Sequence, residues 1–502
     1  LGRKLISYEV YALLLFGLIA FGGSSLLSAY ERQFRVLVPI LLLWIAYVAA
    51  RLVKVEDTYY VIWCTDFYGA AIGMAQGRFE GFRQALADAL GHLDPVDHRL
   101  DGMLARPGER DGLDAQFDDA RLLRITQFGE HWERSFRDIG IEAGMKAIAD
   151  ADLSGSEVDG MFIGNMSSGR FINQHHIGAL IADYSGMATN HVPATRVEAG
   201  EASGGIAFRQ GVMAVASGMH DIVVVGGAEK MTDVDDPTSN EIMDTTSDTQ
   251  WESSLGVTFA SLHAMIAKRS IHDGVFTREE MASMSVLDHA HGALNPNAQF
   301  RKAINLDTVL RSGPVAEPIG LFDCSPISDG AAAVVLCPLE EAKKHTDSYV
   351  KVSAVTQASD TLALFQREDI TRFCATTAAA NKAYRLAGIS SSDIDVAEVH
   401  DNYTVSGILA LQDLGLFERG KAGKAVLEGQ ANIGGKVAVN TSGGLKARGH
   451  PIGATGVAQI VEVVQQLRGA ADKRQVAGAR YGLAQNVGGT GSAVTVSILE
   501  AI

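Results

Sequence analysis

One histidine of this 502-residue chain stands in a setting suited to chemistry. His450 lies in the run NTSGGLKARGHPIGATG, Asn440 to Gly456, framed by small residues and followed at once by Pro451. Glycines permit positive φ and let backbone approach a ligand, the proline fixes the chain just past the ring, and the GATG that follows opens an apolar helical pattern, GVAQIVEVVQQL. The imidazole is therefore expected to face a cleft rigidly, the alternative being an ordinary turn histidine. Three further segments repeat this design of a polar or glycine-rich turn beside an apolar periodic stretch: VEAGEASGG (Val197 to Gly205), EVHDNYTVSGILAL (Glu398 to Leu411) and QNVGGTG (Gln485 to Gly491). They add Glu201, His400 and Asn402 to His450 as candidate catalytic groups. Asn440, Ser442, Gly443, Gly488, Gly489 and Gly491 are the candidate substrate contacts, with the Gly488 to Gly491 turn offering N–H groups to an anion. Asn440 and Asn486 are also expected to stabilise their loops and orient the histidines.

In their order and spacing these segments resemble the active-site loops of thiolases, above all archaeal acetoacetyl-CoA thiolases and sterol-carrier-protein thiolases. FGEHWERS (Phe128 to Ser135) and DCSPISDGAAAVVL (Asp323 to Leu336) support the resemblance, which covers about Arg121 to Ile502. It implies an α/β fold of five layers, αβαβα, with two similar halves, the active site between them and an inserted loop domain over a CoA channel. It also implies an acyl-CoA C-acyltransferase that condenses or thiolyses acyl-CoA, with a CoA thioester as substrate and neither bound cofactor nor metal. In the condensing direction two acetyl-CoA would give acetoacetyl-CoA, toward isoprenoid precursors and lipid metabolism. The partners implied are a second copy of the chain in a homodimer, and an assembly with HMG-CoA synthase and a small OB-fold, zinc-ribbon protein.

Two departures bear on the chemistry. Glu201 stands where thiolases carry the nucleophilic cysteine, and Asn402 stands where an HDCF-type motif supplies a second cysteine as acid and base. An acyl-enzyme thioester needs a group that is both a good nucleophile and a good leaving group, which a carboxylate is not to the same degree. Asn402 donates and accepts hydrogen bonds but exchanges no proton near neutral pH. A helix dipole would lower the pKa of Glu201, whereas burial raising it toward neutrality would make it a usable base. His400 and His450 would still polarise a thioester carbonyl. Cys324, Cys337 and Cys374 are expected to be small core residues, and neither they nor Cys64 fall in a catalytic position of the family. Three functions stay open: the acyltransferase, a carbon–carbon lyase working by retro-aldol chemistry with Glu201 as base, and a non-catalytic subunit that binds acyl-CoA.

The elements around these loops read as helix and strand in alternation. GMFIGNM, DIVVVGG and AAAVVLCP alternate with IEAGMKAIADA and GIAFRQGVMAVASG, and a second set runs from VKVSAV to AVTVSIL, the pattern of mostly parallel sheets covered by helices. This divides the chain into 121–348, holding the loop domain at 233–318, and 349–502. With 53 glycines and 7% aromatics the composition suits α/β packing, and a net charge of −16 opposes a nucleic-acid partner. Lys268, Arg269, Arg301 and Lys302 are candidates for CoA phosphates, with a solvated helix face as the plain alternative. Four scattered cysteines point to a reducing cytosol for 121–502. Residues 1–120 differ in kind: Val10 to Ala29 and Val36 to Ala50 read as a transmembrane hairpin, followed by an amphipathic stretch at 77–90 and a charged linker at 92–119. Only RLLRITQ stands where thiolases carry a full opening strand, so this region is read either as a membrane tether or as a segment foreign to the enzyme.

Overall fold

Short runs of β-branched and small apolar residues supply the strands, and the computed structural model describes residues 125–502. The expected membrane hairpin, the amphipathic stretch, the linker and Cys64 lie outside the described residues. Along the chain come β1 (Gly160–Gly164), β2 (Ala194–Val197), β3 (Val223–Glu229), β4 (Pro314–Ala316), β5 (Ile319–Gly320), β6 (Gly330–Leu336), β7 (Val350–Ser359), β8 (Val396–Glu398), β9 (Ala438–Val439), β10 (Tyr481–Gly488) and β11 (Ala493–Ala501). One sheet has the order β2-β1-β3-β6, with β1 parallel to both neighbours and β6 antiparallel to β3. The other has the order β7-β11-β10-β8-β9, with β8 parallel to β9 and β10, and β11 antiparallel to β10 and β7.

The order β2-β1-β3-β6 returns as β9-β8-β10-β11, so the two halves echo each other as the sequence pattern predicts. Each sheet is mixed, however: two of the three pairings in the first sheet are parallel and two of the four in the second. The difference arises because β6 and β11 each run back antiparallel, β11 directly from β10 through the Gly488–Gly491 turn. Beyond β11 lies β7, while beyond β6 the described residues place two isolated antiparallel bridges, Ile125 to Ala332 and Gly129 to Asp329.

Residues 233–318 hold the helices Asp236–Asp244, Phe259–His272, Arg278–Gly292 and Leu306–Leu310 and β4, which pairs with β5 just beyond. Their starts are written in the sequence. Thr258 accepts from the Ser261 N–H, and Thr277 with Glu280 closes a capping box. Among the described residues no helix is long and apolar enough to cross a membrane. Cys374, expected in the core, is exposed at the first position of its helix, and Cys324 and Cys337 are half-buried.

Two helices lie between the sheets and position the site. The Ser203–Ala216 helix follows β2, and the Ile452–Leu467 helix follows His450 and touches strands of both sheets. Every residue of the latter except Gln465 is buried, and its polar side chains Gln459, Glu462 and Gln466 are paired with Gln485 and Arg474. Where the two cross there is no room for side chains. A Cβ on Gly204 would lie 2.7 Å from the Gly453 carbonyl oxygen, and one on Gly453 would lie 2.6 Å from the carbonyl oxygens of Gly164 and Ala228. A Cβ on Gly456 would collide with the Gly205 amide nitrogen.

Gly456→Ala is therefore expected to destabilise the protein by about 3 kcal/mol, the upper part of the range for overpacking, because backbone must move. Gly144→Ala, in the Phe136–Asp150 helix with nothing within 4 Å of the new methyl, is expected to stabilise by about 0.5–1 kcal/mol. Denaturant midpoints of the two variants, moving in opposite directions from the parent, check the pair.

Candidate active site

Glu201 sits two residues before the Ser203–Ala216 helix, next to its N-cap Ala202, and is completely buried. Its Oε2 accepts the Gly489 N–H at 2.7 Å, so the turn expected to bind an anion does so with the chain's own carboxylate. Oε1 has no partner. Burial pushes the carboxyl up to about 7 against the opposing hydrogen bonds from the Gly489 and Glu201 amides. The lowering expected from the helix dipole is thus overturned, because the cost of desolvating the charge is the larger effect.

His400 follows β8 and is held at two points by consecutive residues of β10. Its N–H donates to Gln485 Oε1 at 3.0 Å, and its Nδ1 meets Asn486 Nδ2 at 3.1 Å. Asn486 Nδ2 also donates to the Glu201 carbonyl at 3.0 Å, which ties the carboxylate segment to the histidine. His450 donates its N–H to Ser328 Oγ at 3.0 Å, and its Nδ1 meets Thr455 Oγ1 at 2.7 Å. The two rings stand edge to face, 5.2 Å between centroids. Burial, with the neighbouring His450, holds His400 well below the usual histidine range, and burial with the Arg448 charge brings His450 to about 3. Both rings are neutral at pH 7.

Asn402 accepts the Tyr403 N–H through Oδ1 and leaves Nδ2 unpaired. Together with Glu201 Oε1, His400 Nε2 and His450 Nε2, that makes four buried polar atoms without partners on the four candidate catalytic residues. Folded proteins leave few such atoms, each at a cost of about 1–3 kcal/mol, so one on each of these four residues marks groups held ready for a ligand. Asn402 and His450 line a cavity of about 290 Å³ whose other walls include Met243, Phe259, Tyr403 and Ile452.

The other expected contacts divide. Gly489 binds Glu201, and a Cβ on Gly488 would collide with the Ala199 carbonyl oxygen, so this turn packs directly on the Glu201 segment. Gly491, at φ 111°, completes the turn. Asn440, Ser442 and Gly443 do not line the cavity. Asn440, in left-handed conformation at φ 50°, accepts the Val399 N–H at 2.8 Å, and Ser442 binds Glu398 through both N–H and Oγ. A Cβ on Gly443 would lie 2.7 Å from Gly292 Cα. Lys268, Arg269, Arg301 and Lys302 are exposed and outside the cavity wall, and Arg269 is paired with Asp273 at 2.6 Å.

Sequence reasoning missed the charges under the loop. Lys446 bridges Asp288 at 2.7 Å and Asp401, all three buried, and Arg448 reaches Glu398 at 3.4 Å. Burial and the Asp401 charge push Asp288 well above the usual carboxylate range, while Lys446 keeps Asp401 at about 2 despite its burial. The spacing Lys446-Ala447-Arg448 within a glycine-rich run carries no periodic signal that these charges point inward. Cys324 pairs as a β-bridge with Tyr403, but its thiol donates to the Gly320 carbonyl at 3.5 Å and burial pushes it up to about 12, so it supplies no thiolate. Among the described residues no group of three or more His, Cys, Asp or Glu is arranged to hold a metal.

Family models match the chain along most of the described residues: thiolase, N-terminal domain over 122–340, and thiolase C-terminal domain-like over 356–501. An acetyl-CoA acetyltransferase of Methanothermobacter thermautotrophicus is 53% identical, covering 75% of this chain and 97% of its own. Sterol carrier protein 2 of Oryctolagus cuniculus is 33% identical, covering 74% of this chain and 69% of its own. Among solved structures, an Ltp2-ChsH2(DUF35) aldolase superposes with a TM-score of 0.65 at 26% identity, over 75% of this chain and 96% of that one. Human mitochondrial 3-ketoacyl-CoA thiolase, at 18% identity and a TM-score of 0.59, shares the fold.

The raised carboxyl makes a stability prediction. A folded-state pKa of about 7 against 4.5 means that the folded protein holds a proton the unfolded chain has released. This contribution is fully present below about pH 4.5 and is lost as pH rises through about 7. Glu201→Gln, which keeps an acceptor for Gly489, is expected to match the parent near pH 5 and to exceed it by about 2–3 kcal/mol near pH 8. Denaturant unfolding at the two pH values checks this, and a pH-independent difference would refute it.

Proposed function

The chain belongs to the thiolase family, and from that premise we propose that it makes or breaks a carbon–carbon bond at the carbon next to a CoA-thioester carbonyl, as an acyl-CoA C-acyltransferase. The observation that carries the proposal is the edge-to-face pair of neutral imidazoles, His400 and His450, with Asn402 beside His450 on one cavity wall, Asn486 joining His400 to the Glu201 backbone, and an unpaired buried atom on each of the four residues. Such chemistry needs a base for the α-proton and N–H donors for the oxyanion that forms. A carboxyl near pKa 7 suits the first task, since general bases work best with a pKa close to the operating pH. His400 and Asn402 offer N–H groups for the second, and His450 either donates or carries the proton between partners.

In the condensing direction Glu201 takes the α-proton of one acyl-CoA. The resulting enolate carbon attacks the carbonyl of the second, the C–S bond of that thioester breaks, and the departing CoA thiolate takes the proton from Glu201. Thiolysis is the reverse. No acyl-enzyme thioester is required, in keeping with the absence of sulfur at position 201 and with the un-ionised Cys324 thiol.

The same residues favour one second reading, retro-aldol cleavage. Glu201 would take the β-hydroxyl proton of a 3-hydroxyacyl-CoA, the Cα–Cβ bond would break to release a carbonyl compound, and the enolate would recover the proton at its α-carbon. The carboxylate base and the likeness to an aldolase support it. The aldolase structure, which includes a DUF35 protein, also supports a second polypeptide beside this chain. A homodimer, an assembly with HMG-CoA synthase and an OB-fold zinc-ribbon protein, and a cytoplasmic setting belong to the same proposal.

The full-length protein is expected to consume acetoacetyl-CoA only when free CoA is present, with a rate that rises with pH to a plateau above about 7 as Glu201 ionises. Glu201→Gln is expected to lose about 10²–10⁴-fold, and Glu201→Cys to turn over with that pH limb altered. CoA-independent cleavage of a 3-hydroxyacyl-CoA would select the retro-aldol reading instead. Binding of acyl-CoA with neither turnover would leave a non-catalytic subunit and defeat both.

A further inference from the structure

Three features stand outside the proposed chemistry: the largely apolar cavity beside β6 and β7, the two unpaired nitrogens of Arg448, and the amide of Asn486. The first has nothing to specify its occupant, and the second opens on a space that holds about one water. The third carries a definite consequence. We infer that Asn486 is a positioning residue that fixes the tautomer of His400, placing the ring proton on Nε2 so that the unpaired nitrogen is a donor and never an acceptor.

The inference follows from hydrogen-bond directions that leave no alternative. Gly205 N–H donates to Asn486 Oδ1 at 3.0 Å, and a backbone amide can only donate. Asn486 Nδ2 lies 3.0 Å from the Glu201 carbonyl, which can only accept. Flipping the side-chain amide would set N–H against N–H and oxygen against oxygen at once. Asn486 Nδ2 is therefore the donor toward His400 Nδ1 at 3.1 Å, and that nitrogen must present its lone pair. A neutral imidazole with a bare Nδ1 carries its proton on Nε2.

The amide has no room to rotate away from this arrangement. It is buried between two glycines. A Cβ on Gly205 would lie 3.0 Å from Asn486 Oδ1, and one on Gly456 would collide with the same oxygen. His450 differs in kind. Its Nδ1 partner, Thr455 Oγ1, has a single proton and two neighbours able to accept it, His450 Nδ1 at 2.7 Å and the Pro451 carbonyl at 3.0 Å. Thr455 can thus leave His450 in either tautomer, while Asn486 leaves His400 in one. The two rings, 5.2 Å apart, divide the work: a fixed donor for the oxyanion, and a ring free to change its proton.

The catalytic meaning of the fixed donor rests on the function proposed above, but the tautomer does not, and it can be read without turnover. Full-length protein labelled with ¹⁵N-histidine, with the His400 signals assigned by their loss in His400→Gln, is expected to show a bare Nδ1 and a protonated Nε2 at neutral pH. Asn486→Asp replaces the donor with an acceptor and is expected to move a proton onto Nδ1, with turnover falling by about 10²–10³-fold if the donor serves an oxyanion. A protonated Nδ1 in the parent overturns the inference, as does an unchanged His400 spectrum in a folded Asn486→Asp. The parent spectrum decides even where that variant does not fold. A parent with the expected tautomer but no turnover would sink the proposed function and leave the inference standing.

Discussion

Where the Ser203–Ala216 and Ile452–Leu467 helices cross, glycine stands on both sides of the contact and main chain lies against main chain. Helices with ordinary side chains at the crossing pack about 8–10 Å apart, and each added methyl must be accommodated by moving backbone. Here that clearance is removed, and the starts of two helices that belong to different halves of the chain are brought beside each other. One start carries Glu201 and the other follows His450. The polar atoms that link them, Asn486 above all, fit only because Gly205 and Gly456 have no Cβ. Loosening the crossing would not only weaken the core but would separate the groups whose convergence defines the site.

A second constraint acts from beneath. The loop bearing His450 buries Lys446 and Arg448, and a buried charge is tolerated only with partners. Asp288, Asp401 and Glu398 supply them. The result is a loop whose backbone is pinned through its side chains, including a π-turn at Gly444–Arg448 and positive φ at Asn440, Gly443 and Gly444. Arg448 has an electrostatic effect as well, since its charge joins burial in keeping His450 neutral. The charges thus stabilise a loop shape and set the protonation state of the ring it presents.

This division explains what could be read in the sequence. Strands such as DIVVVGG and AAAVVLCP and the helix at Ile452 announce themselves by period and composition, and the Gly-framed loops disclose the histidines. The sense of β6 and β11 is not written in period two, so the mixed character of the sheets had to come from the structure. Cys374 reads as a small apolar residue but opens a helix on its solvent side. Lys268 and Arg269, expected as contacts for CoA phosphates, lie exposed on a helix face. Lys446 and Arg448, by contrast, are buried charges enclosed by acids more than forty residues away in the chain. Burial is a property of the assembled halves, and residue type alone does not carry it.

Glu201 shows which force prevails in such an enclosure. A helix start favours an anion by about 0.3–1 kcal/mol, and by about 2 kcal/mol in good buried geometry. The rise from 4.5 to about 7 corresponds to about 3 kcal/mol in the opposite sense, so desolvation outruns the dipole and the Gly489 N–H together. The Cys324 thiol, close by at Tyr403, meets the same resistance to ionisation and is driven to about 12. A pocket this reluctant to hold charge favours groups that act while neutral: an acid that gives up its proton near pH 7, two uncharged imidazoles and an amide. Chemistry in it proceeds best by moving protons between neutral partners, with N–H donors already in place where negative charge gathers, and a carboxyl at position 201 is compatible with that regime in a way that a standing thiolate is not.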